Sequence, residues 1–150
     1  MIAQIILSFF ACMGFGILFN IRGKNLLFAS LSGAISWFVY LLALSFNFSN
    51  TTSLLISSIC FSIYSEIFAR ILKTPVTSLI ICGLITLVPG AGMYNTMYQI
   101  ILGNLETAVR LGLETLASAG TLALGILFVS TTTKIVAGNL DFKKSKIKDV

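Results

Sequence analysis

At 150 residues the chain is 57% apolar and only 10% charged, with a mean hydropathy of +0.99, which leaves too little polar surface for a water-soluble body of this size. Its formal charge of +5 does not indicate a nucleic-acid partner, because the basic residues flank apolar stretches and form no patch with aromatic stacking partners. With no histidine, imidazole catalysis and the commonest transition-metal ligand are both missing, and no Gly-x-Ser-x-Gly or phosphate-cradling glycine loop appears, so no catalytic residue, metal site or cofactor is expected.

About twenty helical residues are needed to cross roughly 30 Å of hydrocarbon. About five stretches approach that length, which predicts an all-α polytopic membrane helix bundle of about five spans, the fourth of them broken by Pro-Gly. The first runs from Ile2 to Ile21, with Gly14 and Gly16 as points of close packing and Asn20 near its end. No basic residue precedes it and its apolar run is as long as a full span, so it reads as a retained helix instead of a signal peptide. The second, Leu26 to Phe46, gathers Ser30, Ser32, Gly33, Ala34 and Ser36 into a small-residue face on which another helix can pack, with Trp37 and Tyr40 as bulky counterweights. The short, uncharged loop Asn47 to Asn50 makes an antiparallel hairpin with the third span, Thr52 to Leu72. That span is the most polar, holding Ser53, Ser57, Ser58, Ser62, Ser65 and Glu66; serines in lipid can return hydrogen bonds to their own helix carbonyls. Cys12, Cys60 and Cys82 all lie inside apolar stretches without Cys-x-x-Cys spacing and read as small buried hydrophobes.

Pro75 suits the start of the fourth helix, where a missing amide hydrogen costs little. Val76 to Val88 is then apolar but only about 20 Å long by helical rise, too short to cross, and stops at Pro89-Gly90. A second apolar piece, Ala91 to Leu102, follows before Gly103-Asn104. Two arrangements accommodate this: one long discontinuous helix, or a short span followed by a half-helix lying along or dipping into the outer interface. Leu105 to Leu113 carries Glu106 and Arg110, which with Glu114 are spaced for two acid–base neighbours on one helix face. The fifth span, about Leu113 to Thr133, has a second small-residue surface in Ala117, Ala119, Gly120, Ala123 and Gly125. The chain reads as one transmembrane domain over 1–138, followed by a basic, flexible cytoplasmic tail over 139–150 that is attracted to anionic lipid at the inner surface.

Arg22 and Lys24, Arg70 and Lys73, and Lys134 with the tail lysines Lys143, Lys144, Lys146 and Lys148 all fall on one side of such a topology; Arg110 is the single basic residue in an alternate gap. By the positive-inside rule this places the amino terminus outside and the carboxyl terminus in the cytoplasm.

Pro89-Gly90-Ala91-Gly92 is the sharpest local feature. Proline removes a helix hydrogen bond, glycine permits a change of direction, and a break inside lipid leaves backbone groups that protein or water must meet. In transporters such breaks aim helix ends at a substrate near the midplane. Here the second half-helix would offer free amides near Gly92 and Met93, with Tyr94, Asn95, Tyr98 and Gln99 as side-chain partners, so Pro89, Gly90, Gly92, Tyr94, Asn95, Tyr98 and Gln99 are the substrate-path candidates. The competing reading is a plain extracellular turn, with the tyrosines as interfacial aromatics. Glu66 is the single acidic residue well inside an apolar span; it is either a proton-coupling carboxylate or the partner of Arg70 one turn later.

The span arrangement, the run Val88-Pro89-Gly90-Ala91-Gly92-Met93-Tyr94 and the Gly/Ala-rich last helix resemble the small subunit of the threonine/serine exporter family in its split, second-half form, over about Ile2 to Gly138. The resemblance implies a proton-driven secondary exporter of small hydroxy amino acids or related small carboxylates in the bacterial inner membrane, working with a larger membrane subunit. It carries over Pro89 and Gly90 as motif positions; Glu66, Asn95, Tyr98 and Gln99 come from the physical reading of the residues. The small-residue faces would serve subunit docking, packing within the chain or self-association as a homo-oligomer. The alternatives are a non-transporting membrane assembly factor and a passive channel.

Overall fold

The computed structural model describes the backbone of residues 1–148 and the side chains of residues 1–136. Among the described residues there are six helices and no strand: α1 (Ile2–Leu18), α2 (Lys24–Ser45), α3 (Asn50–Leu72), α4 (Val76–Ile85), α5 (Gly90–Ile101) and α6 (Leu105–Lys148). α2, α3 and α6 are long and apolar enough to cross a membrane, and α4 with α5 would make a further, broken span bent by 53°. α1, at 17 residues, sits at the lower limit of a spanning helix. The architecture is that of a polytopic helix bundle.

Four connections reverse the chain by the same device. Asn20 (φ 58°), Asn47 (φ 60°), Lys73 (φ 52°) and Gly103 (φ 79°) take the left-handed conformation just past α1, α2, α3 and α5. After each, the next amide reaches back five residues: Ile21 to the Gly16 carbonyl, Phe48 to Ala43, Thr74 to Ala69 and Asn104 to Gln99. This is the Schellman closure, which satisfies carbonyls that a helix end would otherwise leave orphaned. The α4–α5 connection carries no left-handed residue and so bends without reversing.

Several boundaries move relative to the sequence reading. The first helix ends at Leu18, not Ile21, because Asn20 closes it; the third starts at Asn50, where the Ser49 side chain accepts the Thr52 amide as an N-cap. The largest change is at the carboxyl end. The segment from Leu105 to Leu113 is not separate from the fifth span, since α6 runs unbroken from Leu105 to Lys148. The expected flexible tail falls beyond the described side chains.

α2 occupies the centre, packed against α1, α3 and α4, while α6 lies along α3 and α5 rests on α6. Small residues set these approaches: a Cβ at Gly33 would overlap the Cys12 sulfur, one at Gly125 would overlap the Ser58 side chain, and one at Gly83 would come within 2.7 Å of both Phe61 and Ser32. Leu54, Phe61, Leu87 and Leu122 form the main apolar core, flanked by Trp37, Tyr40, Leu84 and Ile126. Gly125 meets Ser58 and Thr133 lies beside Glu66, so α6 runs parallel to α3. Both pairs are 67 residues apart, which sets Asn50 level with Ala117 and leaves roughly 18 Å of α6 beyond the start of α3. α5 packs back against that projecting part of α6, with Gly92 on Thr115 and Thr96 on Gly112. The α5–α6 hairpin therefore stands past the end of the α2–α3 hairpin.

Candidate functional site

The site is built from the end of a helix inside the bundle. α4 stops at Ile85 because Leu87 and Val88 both turn their amides onto the Leu84 carbonyl, at 2.9 and 3.0 Å, and Pro89 has no amide to continue the ladder. Such an end leaves carbonyls without intrahelical donors, which is costly away from water. Neighbouring side chains meet two of the last turn's carbonyls. Gly83 O accepts from Ser36 Oγ of α2 at 3.1 Å and from Thr86 Oγ1 at 2.9 Å, and Cys82 O accepts from Cys12 Sγ of α1 at 3.0 Å. α5 then restarts at Gly90, whose amide bonds Val88 O at 2.7 Å, while the Met93 amide bonds Pro89 O at 3.1 Å. Of the amides expected to be free near Gly92 and Met93, that of Met93 is committed, and within the described chain those left without an acceptor are Ala91 and Gly92.

Behind the bend lies an open cleft of about 810 Å³ between the end of α4, α5 and α6. It exists because α4 packs on α2 and α3 while α5 leaves α4's line to pack on α6. Its walls are apolar, with Val88, Met93, Met97, Ala119 and Ala123 among them. Its hydroxyls, Thr96 and Thr115, are bonded back to Gly92 O and Leu111 O of their own helices at 2.8 and 2.7 Å. The cleft alone offers an uncommitted polar solute little to bind.

The seven substrate-path candidates separate around α5. Pro89 is half-buried and lines the cleft, Gly90 is exposed, and Gly92 packs on Thr115. Tyr94, Asn95 and Tyr98 lie on the exposed face; the two tyrosine rings stack with centroids 6.2 Å apart and planes 9° from parallel. Gln99 is half-buried, and its Oε1 accepts from Asn104 Nδ2 at 3.0 Å across the α5–α6 turn.

Glu66 is brought together with none of these. It is buried on α3, 3.9 Å from Arg70, in a small pocket of about 100 Å³ shared with Ile63, Ile67 and Thr133. Ser57 bonds Ser36 and Ser36 bonds Thr86, so Glu66, nine residues after Ser57, stands about 14 Å along the axis from the end of α4. The second acid–base pair, Arg110 with Glu114 at 3.2 Å, is exposed on the projecting part of α6.

The hydroxyl seam between α2, α3 and α4 has no signature in the linear pattern. Ser30, Ser32, Ser36, Ser53, Ser57, Ser58, Ser62 and Ser65 are all fully buried. Ser30, Ser53 and Ser58 return their bonds to their own chain, to Leu26, Ser49 and Leu55 carbonyls, as serines in lipid were expected to do. Others bridge helices: Ser57 donates to Ser36 O, Ser32 and Ser65 are 3.4 Å apart, and Ser36 reaches α4. Ser36 was visible as part of a small-residue face, but nothing in the one-dimensional pattern paired it with a carbonyl 47 residues away.

A profile described as Threonine/Serine exporter, ThrE, matches residues 4–132. The chain belongs to the threonine/serine exporter family. The match takes in all but the first two residues of α1, the whole of α2 to α5 and most of α6. With the apolar helices, family membership makes this a multi-pass membrane protein of a transport family and indicates export of threonine and serine. No curated protein and no solved structure matches the chain.

Proposed function

We propose that this member of the threonine/serine exporter family is one subunit of a secondary active exporter, moving threonine, serine or related small carboxylates outward at the expense of the proton gradient, together with a larger membrane subunit. The observation that carries the reading is a family match that includes the interrupted span made by α4 and α5. A broken helix whose ends meet protein, solute or water is the usual way a transporter puts irregular backbone at membrane depth.

The need for a partner follows from polarity. A zwitterionic amino acid requires charged or hydrogen-bonding groups, and the cleft behind Pro89 has only two self-bonded hydroxyls. The uncommitted polar groups of α5, Tyr94, Asn95 and Tyr98, face away from that cleft toward whatever surrounds the chain. A path between this face and a larger subunit, with Pro89, Gly90, Gly92 and Gln99 shaping its inner side, accounts for both facts. Glu66 is the proton-coupling candidate, released from Arg70 when it takes up a proton. The basic ends at Arg22, Lys24, Arg70, Lys73 and Lys134 favour the bacterial inner membrane with these ends and the tail in the cytoplasm, against anionic lipid, and the amino terminus outside.

The test is co-reconstitution in proteoliposomes with the polytopic protein encoded beside this chain. Efflux of threonine or serine that needs both subunits and follows an imposed proton gradient is the expected result. Efflux indifferent to the gradient would indicate a channel, and no efflux from any combination would indicate an assembly role.

A further inference from the structure

Ser36 Oγ is the most connected side-chain atom of the bundle: 2.8 Å from Gly33 O on its own helix, 3.1 Å from Gly83 O on α4 and 2.7 Å from Thr86 Oγ1 just past α4. Thr86 Oγ1 is in turn 2.9 Å from Gly83 O. Two hydroxyl protons are thus shared among four oxygens. At 2.7 Å one hydroxyl must donate to the other, tying α2 to the end of α4, while the remaining proton serves a carbonyl. Each hydroxyl also has an acceptor three residues back on its own segment, Gly33 O for Ser36 and Gly83 O for Thr86. If α4 moves off α2, Ser36 turns wholly to Gly33 and Thr86 wholly to Gly83. No hydroxyl loses its acceptor, and the orphan carbonyl of Gly83 keeps a donor. Contacts with such a fallback separate at low cost, whereas a buried polar group left alone in lipid does not.

We infer that Ser36 and Thr86 form a releasable joint between α2 and the broken end of α4, and that this joint opens and closes as α5 swings during transport. The inference rests on the export reading above for its role, though not for its geometry. The apolar surroundings favour such motion. At the joint itself Gly83 adds no side chain where α4 lies on Phe61 and Ser32, and the open cleft on the far side of the bend leaves room for displacement. Trp37, the single tryptophan of the chain, follows Ser36 directly and packs on the core that includes Leu87, so it reports on the joint.

The test is the pair Ser36→Cys with Thr86→Cys in the full chain, reconstituted with its transport partner, the bond mapped by mass spectrometry. Hydroxyl oxygens 2.7 Å apart put the two Cβ atoms within disulfide reach. Oxidation is expected to cut threonine efflux to that of empty vesicles and to reduce acrylamide quenching of Trp37, with both restored by dithiothreitol. An oxidised protein that exports and quenches like the reduced one has a contact that never opens, which overturns the joint. If neither form exports and the unsubstituted chain does not either, the export assignment fails; if only the unsubstituted chain exports, that assignment stands, and in both cases the quenching difference decides the joint. Where the cysteines do not bond, Ser36→Ala serves instead, because Gly83 keeps Thr86 as donor and the fold survives. Its Trp37 should quench more readily than wild type, and Thr86→Ser, which keeps both hydroxyls, should not differ from wild type; quenching of Ser36→Ala equal to wild type overturns the proposal.

Discussion

The two sides of α4 differ in a way that inverts intuition about a transporter. The side facing α2 and α3 is rich in hydroxyls and closed to zero exposure, while the side facing α5 and α6 is apolar and holds the open cleft. In lipid there is no hydrophobic drive to bring helices together, so closure depends on small residues that let backbones approach and on hydroxyls that bond across. The α2–α3–α4 seam has both in Gly83, Ser36 and Ser57, and Gly33 closes it off against Cys12 of α1. The other side has small residues at Ala119 and Ala123 but no helix lying on them, because the bend at Pro89 carries α5 away. Polarity in this chain serves assembly of the bundle, and the apolar side supplies the space.

The largest effect that would break this contrast comes from filling the seam. Gly33→Leu should prevent assembly, since even a Cβ there overlaps the Cys12 sulfur; overpacking of this kind costs at least about 1–3 kcal/mol. Thermal unfolding in detergent would register it. The same substitution at Gly120, which has open space around it, should leave the melting temperature near wild type. Next in size is Pro89→Ala, which gives the bend a donor and should straighten it below 53°, closing the cleft. Efflux is expected to fall far more than the amount of folded protein; normal efflux would remove the bend from the path. Glu66→Gln sharpens the contrast in another way. It should abolish dependence of efflux on the proton gradient, and retention of that dependence would reduce Glu66 to a partner of Arg70. Smallest is Thr96→Val in the cleft wall. Its hydroxyl is already bonded to Gly92 O, so removal should change stability by no more than about 1 kcal/mol and leave affinity for threonine unaltered. A clear loss of affinity would mean that the cleft holds the solute directly.

Much of the fold was legible because lipid imposes simple rules. Long apolar runs had to be helices, Asn47 and Gly103 marked turns that the structure closes in the left-handed conformation, and Pro89-Gly90 marked the break. Lys73 was not legible as a left-handed residue, since its type carries no such preference and the Thr74 to Ala69 hydrogen bond selects it. Nor was the continuity of α6: Glu106, Arg110 and Glu114 lowered the local hydropathy and looked like a boundary, yet a helix that projects roughly 18 Å past α3 can carry charges on its exposed face without interruption. For the candidate site, the residues of the break were visible and their surroundings were not. The run from Tyr94 to Gln99 looked like one cluster, but a helical turn of 100° per residue sends Thr96 to α6 and Tyr94, Asn95 and Tyr98 to the outside.

By itself the sequence determined that this chain is a bundle of membrane helices with one interrupted span, because apolar length, the missing amide of proline and the permissive backbone of glycine act locally. Only the tertiary structure decided who meets the exposed carbonyls at the interruption. Thr86 reaches the Gly83 carbonyl locally, but Ser36 and Cys12 are set there by helices that pack through glycine, and hydrogen bonding over such separations along the chain depends on where whole helices lie.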